Sequence, residues 1–392
     1  MSNLEKLLQE FCPNGVEYKK IKEVYKRLKG TPITAAKMKQ IENPNGEIRV
    51  FAGGKTVINA VEKDISNANI TRVPAVLVQS RGVIDAVFYD KSFTFKNEMW
   101  AYTSDEITSV KYLYYVLKNN MEYFRTAASG MGSLPQISLS ITEDFIIPVP
   151  PLPVQREIVR ILDNFTELTA ELTAELTARK KQYEYYRDTL LEQNMPVEKV
   201  TLGAVCEVYD GTHQTPEYTE NGVPFVSVED IDNLYATKKF ISTEAFAKFK
   251  IKPHTGDLFM TRITAGVIGK CAIVENDNDL AYYVSLALLR PNHSILSSKY
   301  LKHYLESGIG RSELAKRILW NATPTKINKD DIGRIFISIP PLDVQERLVN
   351  VLDNFEAICT DLKIGIPAEI EARQKQYEYY RNKLLTFKEK TS

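Results

Sequence analysis

The sequence predicts an α+β protein: two globular α/β domains with pseudo-two-fold symmetry, separated by two long antiparallel coiled-coil helices. Three observations support this fold class. A helical segment occurs twice, about half a chain length apart, and each copy begins with a double proline. The stretch before each copy has the short apolar runs and Gly-rich turn signals of strands. A chain of 392 residues that repeats itself in this way is a tandem duplication.

The two helical copies share long pieces of sequence. Pro-Pro-Leu-Pro-Val-Gln at 150–155 returns as Pro-Pro-Leu-Asp-Val-Gln at 340–345, and Lys-Gln-Tyr-Glu-Tyr-Tyr-Arg is identical at 181–187 and 375–381. A double proline is typical of a strand end followed by a helix start, because a proline in the first helical turn lacks only an N–H that would be unpaired there. These landmarks divide the chain into a first domain (1–149), a central long helix (150–194), a second domain (195–339) and a C-terminal long helix (340–392).

The domains themselves have diverged. In the first, we expect a short helix at 2–11, strands at 73–80 and 83–89, a helix at 110–117 and a closing strand at 141–149. The second follows the same plan with different residues. Two near-identical helical segments beside two dissimilar domains indicate a symmetric support that presents two different binding surfaces.

Each helical copy has one apolar seam at steps of three and four residues, and in the second copy this seam includes Val351 and Ile358. Along about 40 residues, or ~60 Å at 1.5 Å per residue, so narrow a seam needs a partner helix, and the simplest partner is the other copy. The alternative is that each helix packs on its own domain. The residues predicted at these helix or subunit interfaces are Gln155, Ile158, Phe165, Leu172, Leu176, Tyr183, Tyr186, Gln345, Phe355, Leu362, Tyr377 and Tyr380.

The first copy contains the tetrad Thr-Ala-Glu-Leu twice, at 169–172 and 173–176. Four residues add ~6 Å of helix and turn it ~40° beyond a full turn, so a tetrad can be gained without moving the seam to another face. The second copy has Gly365-Ile366-Pro367 instead. Because Gly costs ~1 and Pro ~3 kcal/mol inside a helix, we expect a break near 365–367, with Pro367 restarting the helix.

Composition is that of an ordinary soluble protein, with 44% hydrophobic and 26% charged residues. No apolar run reaches bilayer length, so we expect a cytoplasmic protein. The four cysteines are far apart and predict neither disulfides nor a zinc cluster. The 50 basic and 50 acidic residues argue mildly against nucleic-acid binding, unless the charge is one-sided or a partner shares the phosphate contacts.

The paired Pro-Pro-Leu-x-x-Gln helices, the tetrads, the duplicated Gln-Tyr-Glu-Tyr-Tyr-Arg and the domain order together resemble the specificity subunit (HsdS) of bacterial type I restriction-modification systems. The resemblance implies two target-recognition domains, each binding one half of a bipartite site in double-stranded DNA. It also implies helices that set the spacer and dock two methyltransferase subunits, with two restriction (motor–nuclease) subunits able to join. A coiled-coil scaffold without DNA readout is the alternative, favoured by the zero net charge.

The resemblance further implies that the chain is non-catalytic and holds no cofactor. S-adenosylmethionine would belong to the methyltransferase subunits, and ATP and Mg to the motor–nuclease subunits. The sequence agrees, since it has no Asn-Pro-Pro-Tyr-like motif, no Gly-x-Gly-x-x-Gly loop and no Walker lysine. His254, His293 and His303 lack metal-ligand spacing, so we predict no metal site.

Candidate DNA contacts lie on loops. In the second domain, Asp210-Gly211-Thr212-His213 with Thr215 looks like a motif of such recognition domains; an ordinary Asp-Gly turn is the alternative. Ser80-Arg81 and Thr261-Arg262 follow strands at matching places. Arg is the best bidentate reader of guanine, although either Arg could instead pair with a carboxylate.

Further candidates come from glycine-rich turns and from the polar loops before each closing strand. Glycines allow close backbone approach to DNA, and short polar loops beside the helix are suitable DNA-facing edges. Plain turn chemistry is the alternative for all of them. These candidates are Gly53, Gly54 and Lys55, then Lys270, then Ser133 with Gln136, and Thr323 with Lys326.

Overall fold

A computed structural model describes residues 3–129, 134–192 and 199–390, apart from the side chain of Lys55. The chain divides into two units. Unit 1 contains Met1–Leu172 and Ile370–Ser392, and unit 2 contains Thr173–Glu369. Each unit therefore combines one globular domain with parts of both helical copies.

Unit 1 begins with a short helix and continues through strands and helices to the first long helix. Its helices are α1 (Asn3–Phe11), α2 (Ile21–Val24), α3 (Ala35–Ile41), α4 (Ile107–Asn119), α5 (Met121–Thr126), α6 (Leu139–Glu143) and the start of α7 (Leu152–Glu192). Its strands are β1 (Glu17–Lys20), β2 (Lys26–Leu28), β3 (Ile48–Phe51), β4 (Val57–Ala60), β5 (Ala75–Gln79), β6 (Asp85–Tyr89), β7 (Phe93–Phe95), β8 (Trp100–Thr103) and β9 (Ile146–Val149).

The central sheet of unit 1 is antiparallel, in the order β2-β8-β5-β6. Every residue of β5 is buried, including the polar Gln79 that follows the apolar run at 75–78, and Leu77 lies opposite both Ala101 and Val87. A second sheet has the order β4-β3-β7. β1 pairs with β9, with Glu17 opposite Val149, so the domain's first strand lies beside the strand that leads into α7.

Unit 2 ends the first long helix and contains the second domain. Its helices are α8 (Thr243–Ala247), α9 (Ser298–Glu306), α10 (Gly308–Ala315), α11 (Lys329–Gly333), α12 (Leu342–Thr360) and the start of α13 (Ile366–Leu384). Its strands are β10 (Lys199–Thr201), β11 (Cys206–Asp210), β12 (Tyr218–Thr219), β13 (Val223–Val226), β14 (Phe240–Ile241), β15 (Leu258–Thr261), β16 (Cys271–Ile273), β17 (Ala281–Tyr282), β18 (Leu286–Pro291) and β19 (Phe336–Ser338).

Unit 2 repeats the sheet plan of unit 1. Its central sheet has the order β11-β18-β15-β16, which matches β2-β8-β5-β6, and β15 is again buried throughout. β10 pairs with β19 just as β1 pairs with β9. A sheet of β12-β14-β13-β17 stands in place of the three-stranded one. The predicted fold class, two domains of one plan with a long helix between them, is confirmed.

The start of each long helix packs on its own domain. Ile158 and Leu162 of α7 are buried in one cluster with Val110 and Leu113 of α4. In unit 2, Leu348, Val349, Leu352 and Cys359 of α12 are buried in one cluster with Tyr300 and Leu301 of α9. At these segments the long helices pack on their own domains, as the alternative to helix-to-helix pairing predicted.

Helix-to-helix contacts also occur within each unit. In unit 1, the Phe165 ring of α7 stacks on Tyr380 of α13 with 5.6 Å between centroids, and Tyr377 lies 6.3 Å away. In unit 2, Tyr186 of α7 lies 5.7 Å from Phe355 of α12. These contacts are the part of the predicted seam that joins one helix to another.

Some sequence-based expectations were wrong in detail. Val351 and Ile358, predicted on the seam, are exposed, because α12 turns Val349 and Leu352 toward α9 instead. The predicted strand at 141–149 is helical as far as Glu143, and only Ile146–Val149 is strand. The buried Thr142 hydroxyl accepts from Trp100 Nε1 at 2.8 Å, a tertiary bond that the local sequence does not reveal.

The second helical copy is interrupted. α12 ends at Thr360, α13 begins at Ile366, and Gly365 N donates to Asp361 O between them. Leu362 lies in this interruption and is 72% exposed, whereas α7 is helical through both tetrads. Among the described residues, no helix is both long enough and apolar enough to cross a membrane.

Candidate nucleic-acid interface

Three predicted loops of unit 1 lie together beyond the end of β5. Gly54 N donates to Arg81 O at 3.2 Å, and Gly82 N donates to Pro135 O at 2.9 Å. Ile137 N donates to Ser80 O at 3.0 Å. The backbone therefore brings the Gly53–Lys55 turn, the Ser80-Arg81 pair and the Gln136 segment to one edge of the sheet.

The side chains at this edge differ in accessibility. Ser80 is buried, and its hydroxyl donates to the Glu98 carbonyl. Arg81 and Gln136 are exposed, and within the described ranges the Arg81 guanidinium has no carboxylate partner. Ser133 and the side chain of Lys55 lie outside the described residues. Arg81 is thus the strongest candidate for a ligand contact in unit 1.

Unit 2 gathers its corresponding loops. Thr264 N donates to Thr325 O at 3.0 Å, and Ile327 N donates to Arg262 O at 2.9 Å. Since Ile137 N donates to Ser80 O in the same way, Arg262 occupies the position of Ser80, not that of Arg81. The sequence-based pairing of Thr261-Arg262 with Ser80-Arg81 was therefore out of register by one residue.

Arg262 lies inside unit 2. Its side chain is 7% exposed, its Nη1 donates to Asp210 Oδ1, and its Nε donates to Ile327 O at 3.2 Å. Burial lowers the pKa of Arg262 from its ordinary value. Arg262 thus pairs with a carboxylate, which was the alternative to a base contact. Its two hydrogen bonds connect the Asp210 loop to Ile327, in the segment before the closing strand. A base contact by Arg262 stays a prediction.

Thr261 and Lys270 are also engaged within the protein. The buried Thr261 hydroxyl donates to Val267 O at 2.7 Å and accepts from Lys270 N at 3.0 Å. Lys270 Nζ pairs with Asp232. Thr323 is exposed and Lys326 is half-buried, so the Thr323 segment presents its polar groups more openly.

The Asp210 loop owes its shape to a glycine. A Cβ on Gly211 would lie 2.5 Å from the backbone of Tyr283, so only glycine allows this approach. Thr212 N donates to Tyr282 O at 3.1 Å, and the Thr212 hydroxyl accepts from Gln214 N at 3.3 Å. His213 and Thr215 are exposed on the far side of the turn.

Unit 1 has a counterpart of this loop that the sequence reasoning missed. Thr31 N donates to Phe95 O at 2.7 Å, and a Cβ on Gly30 would lie 2.6 Å from the same oxygen, as around Gly211. Lys29 then takes the place of Asp210 and is exposed without an ion-pair partner among the described residues. The shared Gly-Thr dipeptide was the signal that could have identified it.

The Asp210 loop forms one wall of a cleft of about 860 Å³. Lys248, Lys250 and Lys329 also line this cleft, together with Glu217 and Glu244. All three lysines are exposed and lack ion-pair partners within the part of the chain that the structure describes. Exposed lysines without ion-pair partners suit contacts to a phosphate backbone.

Repeated residues of the helical copies have matching environments. Gln155 and Gln345 are buried, and each Nε2 donates to the proline carbonyl five residues earlier at 2.8 Å. Tyr183 is buried at the His303 ring, while Tyr185 and Tyr379, at equivalent places in the repeat, are 67% and 62% exposed. The sequence reasoning did not single out this exposed tyrosine pair.

His303, Asp353 and Glu356 bring metal-ligand atoms within 4.8 Å of one another. Their partners are protein groups. His303 Nε2 lies 2.8 Å from Asp353, which also pairs with Lys299, and Glu356 pairs with Lys302 at 2.8 Å. Two lysines already neutralise the carboxylates, so the cluster is an ion-pair network joining α9 to α12.

Comparison with known proteins agrees with this architecture. The family model described as the type I restriction modification DNA specificity domain matches residues 13–179 and 194–372. The Escherichia coli EcoR124I/EcoR124II specificity subunit is 32% identical over 361 residues, 87% of each chain. A protein named as a type I restriction enzyme specificity subunit from Haemophilus influenzae is 32% identical over 309 residues, 75% of this chain and 77% of the relative.

Solved structures show the same fold. The S subunit of a type I restriction-modification system from M. genitalium has a TM-score of 0.59 and 14% identity, covering 95% of this chain and 96% of that one. A chain from a structure on assembly and conformational transition of the type I R-M system has a TM-score of 0.62 and 18% identity, covering 95% and 98%. With the family model matching both domains, this chain belongs to the family of type I restriction-modification DNA specificity subunits.

Proposed function

We propose that this chain supplies DNA sequence specificity to a type I methyltransferase and restriction complex. Each unit reads one half of a bipartite site in double-stranded DNA, and the helical copies set the spacer and dock two methyltransferase subunits. Two restriction subunits can join the same assembly.

One observation carries the proposal. The two units place loops of different sequence at corresponding positions of one sheet plan, while the helical repeats beside them keep identical heptapeptides. Lys29 and Ser80 of unit 1 correspond to Asp210 and Arg262 of unit 2. Loops that vary on a constant scaffold suit two different half-sites.

Local charge supports DNA binding despite the zero net charge. Lys248, Lys250 and Lys329 line one cleft of unit 2, and Lys29 and Arg81 are exposed on unit 1, each without an ion-pair partner among the described residues. These five cations are available for phosphate contacts, although the three in the cleft of unit 2 share it with Glu217 and Glu244.

Tyr185 and Tyr379 support docking of two copies of one partner. Their heptapeptides are identical, and both rings are largely exposed. Tyrosine is enriched at the centres of protein interfaces because it buries a large apolar area and still offers a hydroxyl. Two equivalent exposed tyrosines fit two methyltransferase subunits.

The chemistry belongs to the partners under this proposal. This chain is non-catalytic and holds no cofactor; S-adenosylmethionine is bound by the methyltransferase subunits, and ATP with Mg²⁺ by the restriction subunits. The chain's own role is readout and positioning.

The test is DNA binding by the chain reconstituted with its methyltransferase subunits, after a bipartite duplex has been selected from randomised DNA. We expect a preference for the selected duplex over random duplex and a steep loss of affinity with salt. Changing Lys248, Lys250 and Lys329 to Gln should weaken binding to all sequences and flatten the salt dependence by up to ~0.9 per lost phosphate contact. No sequence preference and little salt dependence would instead support the scaffold alternative.

A further inference from the structure

Trp320 is a large aromatic residue of unit 2 that the fold leaves exposed. The protein has two tryptophans. Trp100 lies in the sheet of unit 1 and donates to Thr142, whereas Trp320 is 65% exposed on the loop between α10 and α11. Val267 and Leu319, close to it, are exposed as well. A soluble protein rarely leaves a large aromatic ring in water beside other apolar side chains without a ligand for it.

Hydrogen bonds fix the position of the Trp320 side chain and of its loop. Its Nε1 donates to Ala315 O at 3.2 Å, and the loop is closed by Leu319 N donating to Lys326 O at 2.8 Å. Thr264 N donates to Thr325 O at 3.0 Å and so attaches the second loop. Ring and loops together border a groove of about 450 Å³ with walls of Ala265, Val267, Ile268, Ala315 and Ile318.

The charges around this groove have one sign. Arg311 lines it, and its Nη1 donates to Ile268 O at 3.2 Å. Lys326, beside Thr325, belongs to the same loop. Neither cation has a carboxylate partner among the described residues, and none of the groove's described lining residues is acidic. An apolar groove bordered by cations is complementary to a group with an aromatic face and an adjacent negative charge.

A nucleotide has both features. We propose that this groove is a specificity-determining contact of unit 2: the Trp320 ring, with Val267, packs against one base of the half-site, and Arg311 and Lys326 face the adjoining phosphate. The assignment rests on the proposed function and adds a residue that nothing in the sequence pattern indicated. Apolar and aromatic side chains do contact thymine methyl groups and insert at base steps.

A protein partner is the competing occupant, and charge decides between the two. A protein surface has no general requirement for unpaired cations at an apolar groove, whereas every nucleotide brings a phosphate. Thr325, which lines the groove, lies between Thr323 and Lys326 on the loop that precedes the closing strand. The nucleotide therefore accounts for the ring and the cations together.

Fluorescence gives a direct readout when this chain carries 5-hydroxytryptophan and the methyltransferase subunits do not, because Trp100→Phe then leaves Trp320 as the sole labelled residue. In the reconstituted methyltransferase complex carrying this change, we expect the selected bipartite duplex to quench the emission and to shield the ring from acrylamide. Random duplex should do so much less. Unchanged emission and accessibility with the selected duplex fully bound would overturn the proposal while leaving the proposed function intact.

Affinity gives the second readout. Trp320→Ala should weaken binding of the selected duplex about 5- to 140-fold, the range that ~1–3 kcal/mol for a base–aromatic contact corresponds to. Trp320→Phe should retain most of the affinity. Phe336→Ala, which removes another exposed aromatic ring of unit 2, is the matched control and should bind like the wild type.

The remaining outcomes are distinguishable. A Trp320→Ala complex that binds DNA normally but loses methyltransferase subunits would assign the groove to a protein partner and overturn the proposal. A wild-type complex without any sequence preference would refute the proposed function itself. Hydrogen exchange of unit 2 peptides checks that the variants are folded.

Discussion

The ion pair between Asp210 and Arg262 gives an asymmetric prediction for the stability of unit 2. The Arg262 side chain is 7% exposed, while that of Asp210 is 29% exposed. Within the described residues, Asp210→Ala leaves the Ile327 carbonyl as the one hydrogen-bond partner of the buried guanidinium, and breaking a buried pair in this way costs ~3–5 kcal/mol. Arg262→Met leaves a carboxylate that water can reach, so the loss should be only ~1–3 kcal/mol.

The assay is hydrogen exchange with mass spectrometry at increasing urea, which gives free energies of opening for separate parts of the chain. Peptides around Ile327 report directly, since its amide donates to Arg262 O. Peptides of β5 in unit 1 are the internal control and should not change. The double variant should lose less than the sum of the single variants, because the residues are directly bonded.

The reverse order would refute this reasoning. If Arg262→Met destabilised unit 2 more than Asp210→Ala, burial of the guanidinium would not be the dominant cost. If neither variant changed exchange near Ile327 but both abolished discrimination in one half-site, Arg262 would contact DNA and the base-reading role predicted for it would stand.

Other predictions concern the helical segments. Burial lowers the pKa of His303 below its ordinary 6.5, so the unfolded state takes up the proton first and the stability of unit 2 should fall as pH drops below about 6.5. In unit 1, Tyr115 lies beside the ion pair of Lys111 and Asp163, at the place that His303 has in unit 2. His303→Tyr should therefore remove most of this loss of stability, measured as the difference between the urea unfolding midpoints at pH 7.5 and pH 5.5. Tyr185→Ala with Tyr379→Ala should weaken methyltransferase binding at least ~10-fold in titration calorimetry, while Tyr123→Ala should not. Inserting Thr-Ala-Glu-Leu after Leu176 adds ~6 Å and ~40° of helix and should lengthen the unread spacer by one or two base pairs in methylation mapping.

Each of these has a contradicting result. An equal pH-dependent loss in His303→Tyr would assign the effect to other groups. Unchanged assembly of the double tyrosine variant would leave the docking surface elsewhere on the helices. A changed half-site with an unchanged spacer would show that the inserted tetrad does not act through helix length.

The repeat made the architecture predictable from the sequence. Periodicity and the double prolines predict the fold class and the long helices, because helix starts and apolar seams depend on local residue types. Which residues of the apolar seam are buried was less predictable. Val351 and Ile358 fit the helical period and are exposed nonetheless, since the domain beside α12 determines which face is covered.

The candidate interface shows the same division between local and tertiary information. The Asp210 loop was predictable because the dipeptide Asp210-Gly211 is a local turn signal. The alignment of Arg262 with Ser80 instead depends on the backbone hydrogen bonds that their carbonyls accept from residues 65 and 57 positions further along the chain. Sequence spacing alone predicted a register that was wrong by one residue. Exposure of Trp320 is likewise a property of packing that residue type does not encode.

The most direct test of two independent readers is single-molecule methylation mapping of DNA treated with the reconstituted methyltransferase complex. The wild-type chain should return two short half-sites with a fixed unread spacer. A chain with His213→Ala and Thr215→Val, which changes exposed groups of unit 2 alone, should alter one half-site and preserve the other and the spacer. An undivided site, or a change in both halves, would contradict the account.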